Sequence, residues 1–141
     1  MDWFPRVFAT AIGVQLFCQL LKTILYSIRD RRLSPSYFVS AGGMPSAHAA
    51  FVAALSVAIG LRNGFGSDLF AVAAVFSLIV IYDAYRLRGH VQHHAKIINR
   101  KILEPAGEQP VSEMVGHSLP EIVAGVVIGG AVSLVLTLML S

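Results

Sequence analysis

Apolar residues run almost unbroken through four stretches of the chain, near 7–28, 46–61, 67–82 and 119–140, and the polar residues gather between them. None of the four alternates in the two-residue rhythm of a half-buried strand, and each is long enough for a helix. The last carries no charge from Ile122 to Leu140, with Ser133 and Thr137 as its only hydroxyls. The punctuation agrees with helices. Arg29-Asp30-Arg31-Arg32 stops the first, Arg62-Asn63-Gly64 ends the second, Ser67-Asp68 caps the third, and Ser118 with Pro120 opens the fourth. Trp3 and Phe4 are placed to anchor the first helix at an interface, and Pro5 suits a first turn. Between the third and fourth stretches, 83–116 is polar. Its part 85–103 predicts an amphipathic helix with an irregular stripe from Leu87 to Leu103, and 104–110 reads as a loop from its prolines and glycine.

Composition turns these helices into membrane spans. Charged residues make up 13% of the chain, about half the usual share of a soluble domain, and hydrophobic residues 55%. Few charges fall inside the apolar runs, as hydrocarbon demands. The expected fold is an all-α integral membrane bundle of about four transmembrane helices, with an additional amphipathic helix between the third and fourth, in a single domain over 1–141. The first apolar run reads as a retained helix, because no small-residue cleavage site follows it. Cys18, the only cysteine, excludes an internal disulfide and reads as a packing residue. No pattern of aromatic and basic residues suits a nucleic acid. Arg29, Arg31, Arg32, Arg86, Arg88, Lys96, Arg100 and Lys101 lie in two connections, against Arg6 and Arg62 on the other side. That bias places the polar connections in the cytoplasm or its organellar equivalent, within a bacterial inner membrane or an organelle membrane.

Four up-and-down spans bring one set of polar residues to one membrane face. Lys22 and Arg29 close the first helix, Gly42, Gly43, Ser46 and His48 open the second, Asp83, Arg86 and Arg88 follow the third, and His117 and Glu121 open the fourth. Cations, a serine and free backbone N–H groups at a helix start suit a tetrahedral oxyanion. Glu121 lies one helical turn after His117, so its carboxylate can hold that imidazole while the other ring nitrogen attacks phosphorus. His48 can then protonate the departing oxygen, and Asp83 can pair with a neighbouring arginine to support the site. His90, His93 and His94 do not set three ligands on one helical face, so no metal site is expected there.

Pro45-Ser46-Ala47-His48 resembles the proline-serine-glycine-histidine motif of the phosphatidic acid phosphatase type 2 and vanadium haloperoxidase superfamily. Lys22 with Arg29 resembles its first motif, and His117 through Glu121 to Gly125 the end of its third. Gly42 to Ser46, Tyr82-Asp83-Ala84 with Arg88, and Gly116-His117 are similar to its divergent branch, small membrane proteins related to acid phosphatase and vanadium-dependent haloperoxidase. The resemblance implies a lipid phosphatase-like enzyme working without metal or other cofactor on a phosphate monoester or diphosphate of a lipid or prenyl alcohol, through a phosphohistidine. It makes His117 the nucleophile, Glu121 its orienter and His48 the acid, with Lys22, Arg29, Ser46, Arg88 and the Gly43 loop on phosphate. The sequence departs from the pattern at Asp30, where proline is usual, and around Arg88, which leaves Arg86 and Arg88 as alternatives. The alternative function is a non-catalytic membrane protein of the same fold that binds anionic lipid or serves a larger complex. Membrane lipids are the expected partners, and with about four helices against the superfamily's six, a homo-oligomer or larger complex is the other.

Overall fold

Ala-rich sequence makes the second long helix the thinnest rod of the set, and in the computed structural model it stands at the centre of the bundle. The structure describes residues 6–40 and 42–139. Helix α1 is Arg6–Arg29 and α2 is the short turn Ser36–Val39. Helix α3, Ala47–Asn63, begins where Ser46 accepts a hydrogen bond from the Ala49 N–H, and ends where Gly64 returns its N–H to the Gly60 carbonyl. Helix α4, Asp68–Tyr82, is capped by Ser67, which accepts from Phe70 N–H. The chain continues without a break through the π-turn Asp83–Leu87, α5 (Arg88–Ile98), the π-turn Asn99–Leu103 and α6 (Glu104–Ala106). Helix α7 is Leu119–Met139. The expected anchor at Trp3 and Phe4, the turn at Pro5 and the helix end at Leu140 lie outside the described residues.

Among the described residues, three helical runs are long and apolar enough to cross a membrane: Arg6–Arg29, Asp68–Ala106 and Leu119–Met139. Ala47–Asn63 is apolar but shorter, at 17 residues. The segment 85–103 is helical as expected but is not a separate helix, and the loop expected at 104–110 begins only after Ala106. The helical segment is the prolongation of α4 in a single run of 39 residues, about 58 Å long at 1.5 Å per residue. Hydropathy changes at Asp83, but a change of solvent does not interrupt a helix whose residues are all compatible with one. The backbone absorbs an extra residue instead, with Arg88 N–H reaching the Asp83 carbonyl and Glu104 N–H reaching that of Asn99.

Helix α3 packs on α7, α1 and α4, and its closest partner is α7. A Cβ at Gly125 would fall on the Ser46 carbonyl oxygen and one at Gly129 on that of Ala50. Ser133 Oγ donates to the Ala54 carbonyl at 2.8 Å. Both partners advance four residues per step in the same direction, so α3 and α7 run parallel with backbone against backbone, as small residues permit. Val14 and Cys18 of α1 close this core with Ala47, Ala50 and Ala54. Outward, α1 and α4 expose large apolar side chains such as Phe17, Leu20, Val72, Val75 and Ile79, a surface suited to lipid. The parallel α3 and α7 therefore begin at one end of the bundle, where α1 and α4 finish.

Candidate active site

Two glycines let the chain turn tightly before α3. Gly43 has φ of +101°, and a Cβ there would sit 2.9 Å from the Tyr26 hydroxyl. That hydroxyl accepts the Met44 N–H at 3.3 Å, and the Met44–Pro45 peptide is cis. Beneath the turn lies Lys22, only 1% exposed. Its ammonium donates to the carbonyls of Ser40 at 2.5 Å and Gly42 at 3.4 Å. The lysine thus holds the loop by its oxygens. Ser46 is fully buried; its hydroxyl caps α3 and its N–H reaches the Glu121 carbonyl at 3.0 Å, tying the starts of α3 and α7 together.

His48 stands in the first turn of α3, and its ring centre is 6.5 Å from that of His117 at an interplanar angle of 61°. His117 is 5% exposed, and neither ring nitrogen has a hydrogen-bond partner. Nδ1 lies 3.5 Å from Glu121 Oε2, an electrostatic contact too long for a good hydrogen bond. That oxygen is already taken by the Ser118 N–H at 2.8 Å, half of a capping box on α7. Burial pushes the His117 pKa below the ordinary histidine value; the Glu121 carboxylate opposes this, and Lys22 and Arg88 add to it. The imidazole is therefore neutral near pH 7, the form in which a ring nitrogen is nucleophilic. Buried polar atoms are rarely left without partners, so this ring marks a place where a guest can bond.

Arg29 and Arg88 each give their Nε–H to a carboxylate. Arg29 Nε pairs with Asp30 Oδ1 at 3.0 Å with its side chain 71% exposed, and its Cζ stacks 4.8 Å from the Tyr26 ring centre. Asp30 also accepts the Tyr37 hydroxyl at 2.7 Å, and these bonds, Tyr37 first, hold its carboxyl below the usual range. Arg88 Nε pairs with Asp83 Oδ2 at 2.8 Å. Asp83 thus pairs with Arg88, one of the two candidate arginines.

A cavity of about 650 Å³ opens beside His117. Of the residues singled out by sequence, Arg29, Gly43, His117 and Glu121 form part of its wall, whereas Lys22, Ser46, His48, Arg88 and Asp83 do not. The wall also holds Tyr26, Tyr37, Gln92, Lys96 and Glu113, none of them anticipated. Helical spacing was their one available signal: Tyr26 stands a turn after Lys22, and Gln92 and Lys96 a turn apart on α5. Asn99 was also missed. It is 3% exposed and bonds to the Val111 backbone and to Glu113. Among the described residues no three His, Cys, Asp or Glu side chains gather to hold a metal ion.

A family model described as the Divergent PAP2 family matches residues 5–132. The chain is also 32% identical over 154 aligned residues to a protein of Bacillus subtilis (strain 168) named "Uncharacterized membrane protein YuiD", covering 98% of this chain and 94% of that one. No solved structure matches significantly.

Proposed function

Because the chain belongs to the Divergent PAP2 family, we propose that this membrane protein is a phosphatase acting through His117 on the phosphate of a lipid or prenyl alcohol. The observation that carries the reading is the buried His117 ring with two uncommitted nitrogens, beside a second imidazole and opening on a cavity. With Nδ1 facing Glu121, Nε2 is the nitrogen that attacks phosphorus. The ester P–O bond breaks, its electron pair stays on the alcohol oxygen, and His48 supplies the proton. Water then attacks the phosphohistidine and returns a proton to His48, and the P–N pair goes back to the ring as inorganic phosphate leaves. The Glu121 carboxylate stabilises the imidazolium character that develops meanwhile. In this reading Ala47–Asn63 is a fourth and shortest span, with both histidines at the same bundle end.

One observation favours a second reading, a protein that binds an anionic headgroup without turnover. Lys22 and Ser46 are engaged by protein partners, and Arg29 and Arg88 each share their charge with a carboxylate, which weakens the grip on a phosphate. Purified protein in lipid nanodiscs, given lipid and prenyl monophosphates, decides between them. Release of phosphate that disappears in His117→Ala, with competitive inhibition by vanadate, is the expected result. Undiminished release in His117→Ala refutes the nucleophile, and vanadate binding without release from any substrate establishes the second reading.

A further inference from the structure

No hydrogen bond holds the His117 ring. Its place is set by the backbone that carries it. The segment from Val111 to His117 lies between α6 and α7 and, among the described residues, is fastened at three points. His117 N–H donates to the Ala84 carbonyl in the first π-turn at 3.2 Å, and the Met114 carbonyl accepts the Gly42 N–H at 3.0 Å. The third fastening is the only one made by a side chain. Asn99 donates from Nδ2 to the Val111 carbonyl at 2.9 Å, and its Oδ1 accepts the Val111 N–H at 2.9 Å. The second Nδ2 hydrogen goes to Glu113 Oε1 at 2.8 Å. A carboxamide with both N–H groups and its oxygen engaged, buried to 3% exposure at the start of a π-turn, is fully specified in position. Its two bonds to Val111 imitate a strand pairing and fix the segment's register on the helix.

From this geometry we infer that Asn99 is a positioning residue for His117, with Glu113 as the acceptor that orients its amide. The inference rests on the role proposed for His117 above. Placement of a reacting group matters steeply, since an error of about 1 Å can cost on the order of 100-fold in rate. Asn99 does not line the cavity, and it acts through the segment alone.

The test uses the whole protein in nanodiscs, with Asn99→Asp and the double variant Asn99→Asp with Glu113→Gln. The single change keeps the acceptor for Val111 N–H, removes both donors and sets two carboxylates face to face. The double change restores a side-chain bond in the reverse direction. Asn99→Asp is expected to lower kcat at least about tenfold with KM little changed, to shift the His117 imidazole ¹⁵N resonance but not that of His48, and to speed amide exchange across 107–118. The double variant is expected to recover most of each. An unmoved His117 resonance and kcat in Asn99→Asp overturns the inference, as does a double variant no better than the single. Should the wild-type protein release no phosphate, the phosphatase reading fails by itself, while the His117 resonance and the exchange rates still decide whether Asn99 positions the ring.

Discussion

Replacing Gly129 with alanine puts a Cβ 2.6 Å from the Ala50 Cα and 2.8 Å from its carbonyl carbon, with the carbonyl oxygen nearer still. Ordinary contact begins at 3.4 Å, so clearing the Ala50 Cα alone, from 2.6 to 3.4 Å, requires α7 to retreat by about 0.8 Å, and clearing the nearer oxygen requires more. The obstructing atoms are backbone and cannot swing aside. A gap of about 0.5–1 Å forfeits roughly a quarter to a half of the attraction in every contact it opens, and overpacking of this kind costs about 1–3 kcal/mol. Gly125→Ala meets the Ser46 carbonyl in the same way and pushes at the point where α7 and the α3 cap are joined. Gly130 is the control: its added Cβ finds only Val57 Cγ2 at 3.8 Å, an ordinary contact, and alanine there gains about 0.5–1 kcal/mol of helix preference. Denaturant unfolding in mixed micelles is expected to show losses of about 1–3 kcal/mol for the first two variants and none for the third, with vanadate binding weakened most in Gly125→Ala. Equal stability for all three variants refutes a backbone seam between α3 and α7 as the spacer of the two histidines.

The remaining expectations concern protonation and the loop. Because burial lowers the His117 pKa in the fold, the unfolded chain takes up its proton first; stability is full above the ordinary value of about 6.5 and falls as pH drops through the lower folded value. Unfolding midpoints at about pH 7.5 and about pH 5.5 should therefore separate more in wild type than in His117→Phe, and identical separations count against a neutral buried ring. Gly43→Ala should cost about 1–2 kcal/mol from its positive φ, with crowding against Tyr26 added, whereas Gly66→Ala, with open space around it, should not; equal melting temperatures for the two variants contradict this account.

Local signals located the starts of the helices because a cap is a local device. Ser46 and Ser67 each bond an N–H three residues on; Ser67 was legible as a cap before an apolar run, whereas Ser46 was read as a phosphate ligand. A pairing of Asp83 with a neighbouring arginine was legible for the same reason, though not that Arg88 rather than Arg86 would be the partner. The unbroken helix Asp68–Ala106 was not. A drop in hydropathy at Asp83 looks like a boundary in sequence, while the two π-turns that carry the helix past it show no residue signature. Asn99 was illegible because an asparagine in a polar segment has many conceivable partners, and Val111 becomes its partner only when the chain doubles back.

The membrane character, the apolar runs and the end of the bundle to which His48, His117, Lys22 and Glu121 belong follow from the order of residues alone. The cost of placing charge in hydrocarbon acts residue by residue and needs no knowledge of contacts. Which polar groups stay free is a different matter, settled by atoms far apart in sequence. The fold turns Lys22 toward the Ser40 and Gly42 carbonyls, sets α7 against α3 through Gly125 and Gly129, and leaves the His117 ring buried without a bond. A hydrogen bond has direction and a range of about 3 Å, so its partner is known only after distant segments have packed.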